Sequence, residues 1–134
     1  DGFAVARSLA EGLAGAEVLT IHVPAVAATR GMIGAAELRA MAPRAIVVNC
    51  ARGGIVNEDA LYDACKSGHL RAAALDVFEE EPALAPGLTE LDTVVVTPHI
   101  ASATVEAREA MSTIAAENVI KHLAGQVPPN RITG

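Results

Sequence analysis

Four short apolar runs punctuate the chain: residues 18–23 (VLTIHV), 45–49 (AIVVN), 72–77 (AAALDV) and 93–97 (TVVVT). Each is almost continuously hydrophobic rather than alternating, which is the pattern of strands covered on both faces. The stretches between them carry helix start and stop signals. Ser8-Leu9-Ala10-Glu11 predicts a capping box, in which the Ser8 hydroxyl and the Glu11 carboxylate satisfy backbone donors reciprocally, and Gly15 closes that short helix. Residues 35–41 predict a second helix, stopped by Pro43. Asn57 can cap a third, which runs through Leu61 to Ser67 with Gly68 as its left-handed stop. The longest helix spans residues 104–124, with Met111, Ile114, Ala115 and Leu123 on one side, and ends at Gly125 and Pro128-Pro129. Repeated strand–helix–strand units with short links imply parallel strands joined by right-handed crossovers. The predicted fold is therefore α/β, with a doubly wound parallel sheet. Residues 79–91 (EEEPALAPGLTEL) form the one long irregular connection, and connections of that length tend to be functional or mobile.

Composition narrows the possibilities. Of 134 residues, 51% are hydrophobic and 2% aromatic, which suits one domain with a core of small aliphatic side chains. The net charge of −6, without a basic run, argues against nucleic-acid binding, because that affinity rests on Lys and Arg neutralising phosphates. No segment approaches the ~20 apolar residues that span a bilayer, so no membrane partner is expected. Cys50 and Cys65 make no CxxC pair, and a disulfide framework would be odd in so apolar a chain. A reducing, cytoplasmic setting is the expectation. No metal-ligand spacing is visible. The start at Asp1-Gly2-Phe3, unlike a signal peptide and without an initiator Met, leads us to expect that the chain begins partway through a longer protein.

In open α/β sheets, ligands bind beyond the carboxyl ends of the strands. Cys50-Ala51-Arg52-Gly53-Gly54 follow the second run. Asp76-Val77-Phe78, leading to Glu81-Pro82, follow Leu75 of the third, and Thr97-Pro98-His99-Ile100-Ala101-Ser102 follow Val96 of the fourth. An arginine, carboxylates and a histidine thus fall where a substrate would sit.

Four blocks carry a resemblance: HVP with a following Thr-Arg-Gly (residues 22–31), NCARGGIVNEDAL (49–61), SGHLRAAALDVFEEEP (67–82) and TPHIASAT (97–104). In this order they are similar to the D-2-hydroxyacid dehydrogenases, the family of phosphoglycerate, glycerate and glyoxylate/hydroxypyruvate enzymes, over about residues 8–124. The resemblance implies the second half of a Rossmann-type domain that binds NAD or NADP and moves a hydride between the nicotinamide and a small 2-keto or D-2-hydroxy acid. His99 matches the acid/base histidine, which suits a residue whose ordinary pKa of roughly 6.5 lets it give or take a proton near neutrality. Glu81 matches the carboxylate that orients it, and Arg52 matches the anchor for the substrate carboxylate, a task for a planar, bidentate guanidinium. Cofactor contacts carry over to His22, Val23, Pro24 and Thr29 on the adenosine and pyrophosphate side. Cys50, Ala51 and Arg52, with Asp76, His99, Ala101 and Ser102, fall near the nicotinamide. A homodimer is also implied.

The family's G-x-G-x-x-G phosphate loop does not occur in the chain. We therefore expect the loop and an amino-terminal substrate domain to precede residue 1, with residues 104–134 forming a long helix and tail that lead back to that domain. Lacking these parts, the 134-residue piece is expected to be inactive by itself. Structural alternatives stand beside these roles. His22 can be a hydrogen-bonded structural histidine, Arg52 a sheet-edge salt bridge, and Glu79 to Glu81 a solvated acidic face. His69 and His122 read as solvated surface groups, Cys50 and Cys65 as packed thiols, and Met41 and Met111 as helix packing. A dehydrogenase-like corepressor that senses NAD is the alternative function. A formate-acting relative is disfavoured, because those enzymes carry Gln where Glu81 stands.

Overall fold

The computed structural model describes residues 2–132. The chain divides into two compact units, the first ending at His99 and the second starting at Ile100. In the first, local chemistry fixes the short helices where the sequence predicts them. Helix α1 (Leu9–Leu13) is capped by the Ser8 hydroxyl, which accepts from the Glu11 amide at 3.2 Å. The Glu11 carboxylate reaches one residue further back than a capping box requires and accepts from the Arg7 amide at 2.8 Å. Strand β1 is Val18–Ile21, helix α2 is Ala35–Ala40 and strand β2 is Ala45–Asn49. Helix α3 (Glu58–Lys66) starts at Asn57, whose side chain accepts from the Ala60 amide at 2.8 Å. Strands β3 (Leu70–Leu75) and β4 (Val94–Val96) follow, with a 3₁₀ turn at Leu88–Glu90 inside the long connection between them.

The four strands lie in the order β1-β2-β3-β4 and every pair is parallel. This is the α/β, Rossmann-like sheet expected. Neighbouring strands that follow in sequence need right-handed crossovers, which bring α2 and α3 to the sheet. The core holds Val47, Ala73 and Leu75 of the sheet, Leu38 of α2 and Leu61 and Cys65 of α3, with Ile33, Ile55 and Val56 from the loops. Cys65 is a free, buried thiol whose pKa burial pushes up, as its packing role requires.

Several expectations need correction, among them Cys50, expected to be packed and found exposed. The third strand begins at Leu70 and ends at Leu75, two residues earlier than its apolar run, so Asp76 and Val77 belong to the following loop. The strands are not covered equally on both faces. Along β2 burial alternates between full and partial, and Val95 of β4 is exposed. His69 is not a solvated group: its Nε2 lies 2.9 Å from the Leu38 carbonyl and ties the start of β3 to α2.

The second unit is dominated by helix α4 (Val105–Leu123). The Thr104 hydroxyl caps it by accepting from the Ala107 amide at 3.1 Å. At its other end Gly125 has φ of 69°, and Gln126 and Gly125 donate to the Lys121 and His122 carbonyls, a Schellman close. Asn118 pins the tail, accepting from the Asn130 amide at 3.1 Å. No residue of α4 is buried: Met111, expected to pack, is exposed, as are Ile114 and Leu123 on the same side.

Candidate active site

Three loops leave adjacent strand ends at the carboxyl edge of the sheet. Backbone bonds carry the ladder one step past the strands, from the Asp76 amide to the Asn49 carbonyl at 3.0 Å and from the Thr97 amide to the Leu75 carbonyl at 2.9 Å. The loops therefore start side by side.

The loop after β2 is shaped by Asn49, which is 2% exposed. Its side-chain oxygen accepts from the Ala51 amide, and its amide group donates to the Arg52 carbonyl, both at 3.1 Å. This asparagine turn holds Cys50 and Ala51 against the strand end. Arg52 is exposed, and its guanidinium donates to the Ala51 carbonyl at 2.6 Å, not to Glu81 or His99. The next residue must be glycine: a Cβ at Gly53 would lie 1.6 Å from the Phe78 carbonyl oxygen. That contact seats the Arg52 loop directly on the loop after β3.

The second loop begins with Asp76, 3% exposed, whose carboxylate accepts from the Thr97 hydroxyl and so joins the β3 and β4 ends. Further on, a cis peptide links Glu81 to Pro82. One carboxylate oxygen of Glu81 accepts from the Phe78 amide at 3.2 Å. The other lies 2.8 Å from Nδ1 of His99. These two bonds, the His99 one first, hold the Glu81 carboxyl below the ordinary carboxylate range. An ionised carboxylate can only accept, so His99 Nδ1 carries the proton of this bond. Nε2 is then the ring nitrogen that Glu81 does not engage. His99 also has φ of 54°, a left-handed conformation that costs a non-glycine residue on the order of 1 kcal/mol. Its amide bonds the Thr97 carbonyl at 3.0 Å, which helps to hold the turn.

The structure thus pairs Glu81 with His99 across 18 positions, and places Arg52 at the same sheet edge without bonding it to either. Of the positions near a cofactor, His22, Val23 and Pro24 line one groove of about 590 Å³ with Cys50, Ala51 and Arg52. His22 bonds Thr20 through Nε2 at 2.8 Å, as the structural alternative required. The Thr29 hydroxyl staples its loop, donating to the Pro24 carbonyl at 2.6 Å and accepting from the Val26 amide at 2.9 Å. Ala101 and Ser102 belong to the second unit.

Sequence reasoning passed over Asn49, Thr97 and Glu58. An Asn that ends a strand before a turn was a readable signal. Thr97 gave none beyond its place beside Pro98. Glu58 reads as an ordinary acidic residue in a helix's first turn, and nothing local shows that its carboxylate reaches residues 21 and 27 positions away. Among the described residues no group of side chains could hold a metal ion, and no helix is long and apolar enough to cross a membrane.

Comparison with known proteins places this geometry. The model of the family described as D-isomer specific 2-hydroxyacid dehydrogenase, NAD binding domain, matches residues 1–101. The chain is 50% identical over 115 residues to D-3-phosphoglycerate dehydrogenase of Methanocaldococcus jannaschii, which covers 86% of this chain and 22% of that protein. It is 48% identical over 128 residues to glyoxylate reductase of Aeropyrum pernix, covering 94% of the chain and 38% of that protein. The chain therefore spans well under half the length of these relatives. Among solved structures, the NADPH-dependent glyoxylate/hydroxypyruvate reductase of Sinorhizobium meliloti, in complex with NADP and malonate, superposes with a TM-score of 0.84 at 35% identity. The match covers 89% of this chain and 37% of that one. A four-stranded parallel sheet, a Glu–His pair at its carboxyl edge and a match through residue 101 converge on one conclusion: the chain belongs to the D-isomer specific 2-hydroxyacid dehydrogenase family, in the part that forms its NAD-binding domain.

Proposed function

We propose that this chain is the second half of the nicotinamide-binding domain of an NAD(P)-dependent oxidoreductase acting on D-2-hydroxy and 2-keto acids. The observation that carries the reading is the Glu81–His99 bond of 2.8 Å at the edge of the sheet where Arg52 also emerges. The residues present suit a dinucleotide. The groove between residues 22–25 and 50–52 is large enough for part of one, and the buried Asp76 carboxylate lies at the strand ends beyond it. His22, Val23, Pro24 and Thr29 would flank its adenosine side, with Cys50, Ala51, Asp76, Ala101 and Ser102 near the nicotinamide. When bound, the cofactor supplies or accepts the hydride.

The chain's own groups handle charge and protons. Arg52 swings from the Ala51 carbonyl to bind the substrate carboxylate bidentately, which fixes the acid and polarises the adjacent carbonyl. His99, protonated on both nitrogens, gives its Nε2 proton to the oxygen as alkoxide character develops in reduction, and takes it back in oxidation. Glu81 holds the ring in that orientation and balances the imidazolium. The phosphate loop and the substrate domain belong to a preceding segment, to which residues 104–134 lead back. A cytoplasmic homodimer completes the reading. Residues 1–134 alone are inactive, because the pyrophosphate cradle and half the substrate cleft are missing.

The test is turnover of the full-length protein with NADH or NADPH and glyoxylate or hydroxypyruvate. His99→Ala lowers kcat by about 10²–10⁴-fold, the usual contribution of a general acid. Undiminished turnover in that variant rejects the acid/base role of His99, whereas no turnover in the unaltered protein, alongside NAD-dependent capture of a peptide, rejects the enzyme and favours a corepressor.

A further inference from the structure

Glu58 is a buried carboxyl group for which neither hydride nor proton transfer has a use. It is 6% exposed at the start of α3. One oxygen accepts from the Glu79 amide at 2.6 Å and the other from the Ala85 amide at 2.9 Å. Those two amides bracket the segment that carries Glu81. Between them the chain is held lightly: Glu80, Glu81, Pro82 and Ala83 are exposed, and the segment's own backbone bond runs from the Ala83 amide to the Glu80 carbonyl at 2.8 Å. A single carboxylate therefore closes the loop at both ends.

The same grip reaches the arginine side. The peptide unit between Phe78 and Glu79 is engaged twice from the stretch that leads from β2 into α3, since its carbonyl oxygen abuts Gly53 and its amide bonds Glu58. Arg52 stands just before one contact and Glu58 makes the other. The Phe78 amide, one peptide earlier, holds Glu81 itself.

We propose that Glu58 is a positioning residue for the acid/base pair, fixing the loop so that Glu81 stays under Nδ1 of His99 and in register with the Arg52 loop. The idea rests on the proposed role of Glu81 and adds a residue that touches neither substrate nor cofactor. A carboxamide at this position keeps one bond but turns its NH₂ toward the second amide, two donors facing each other, so that end of the loop is released. The carboxylate behind His99 is then free to sample other positions.

The experiment is a double-mutant cycle in the full-length protein, read as kcat and KM separately. Glu58→Gln is expected to lower kcat about tenfold, inside the ~100-fold that a 1 Å misplacement can cause. KM for the keto acid and for NAD(P)H stays within about twofold, because neither ligand touches Glu58. In a Glu81→Gln background the same change lowers kcat less than about twofold, since its route to the reaction is already cut. An equal loss in both backgrounds, or an unchanged kcat with only a lower melting temperature, shows a structural residue and overturns the proposal. If Glu81→Gln alone leaves kcat intact, the Glu81 reading fails first and takes this one with it. Should Glu58→Gln fold poorly, Glu58→Asp, which keeps the charge but shortens its reach, carries the same cycle with the same outcomes.

Discussion

The unit that ends at His99 and the unit that starts at Ile100 draw on the same small aliphatic residues, yet they use them differently. In the first, three short helices and four strands leave Leu38, Val47, Ile55, Leu61 and Leu88 with no accessible surface. In the second, 19 residues form a helix in which Met111, Ile114 and Leu123 remain 61%, 46% and 80% exposed. Both units have well-made helix ends, with Asn57 and Thr104 accepting from the third amide beyond them. Capping is local chemistry and operates wherever the right residue stands. Burial needs an opposing surface, and no residue of α4 is buried. The difference teaches where stability resides: packing in the first unit, hydrogen-bonded ends in the second.

Deleting side-chain volume should expose that contrast most strongly. Leu61→Ala is expected to cost the first unit about 4 kcal/mol, because it removes a fully buried side chain and leaves a cavity. Ile114→Ala in α4 should change stability by less than ~0.5 kcal/mol in this chain. Denaturant melts of the two variants check the pair, and a comparable loss from Ile114→Ala would show that α4 is packed after all.

A smaller effect is expected from filling space at the site. Gly53→Ala forces a methyl into the Phe78 carbonyl and should destabilise the first unit by ~3 kcal/mol, the upper part of the range for overpacking. Amide hydrogen exchange at Phe78 and Glu79 should quicken before that of α4. In the other unit, Thr104→Ala removes the cap and should cost ~1 kcal/mol of helix stability, read as faster exchange at Ala107 with the core unchanged.

The smallest perturbation is pH. Bonds from His99 and then from the Phe78 amide hold the Glu81 carboxyl below its ordinary value of 4.5. A carboxyl lowered on folding adds stability in full above that ordinary value, and the contribution disappears as the pH falls through the lower, native one. A carbon-detected NMR titration of Glu81 should show its midpoint below 4.5. The midpoint should move up in His99→Gln, whereas a midpoint at or above 4.5 in the unaltered chain would mean that the pair does not form in solution.

Much of the site was legible because its residues follow apolar runs. Arg52, Glu81 and His99 stand after the second, third and fourth runs, and parallel strands send all three toward one edge. The structure holds Glu81 2.8 Å from His99, and the sequence had already set Glu81 apart from Glu79 and Glu80 by its place before Pro82. What the sequence did not show is how Glu81 is held, which the bond from the Phe78 amide to its carboxylate supplies. Asp76 was placed inside a strand because its apolar neighbours continue past Leu75, whereas ladder pairing to β4 stops there. His69 was taken for a surface group because the carbonyl it meets lies 31 positions away.

By itself the sequence determined where helices start and stop, which runs become strands and which loops hold the ionisable groups. Those choices depend on caps, glycines and periodicity within a few residues. Tertiary structure alone decided that Glu58 would grip a loop 21 to 27 positions ahead and that Gly53 would sit against Phe78. Each of these depends on the distance between segments far apart in the chain, and that distance exists only once the sheet has brought its strand ends together.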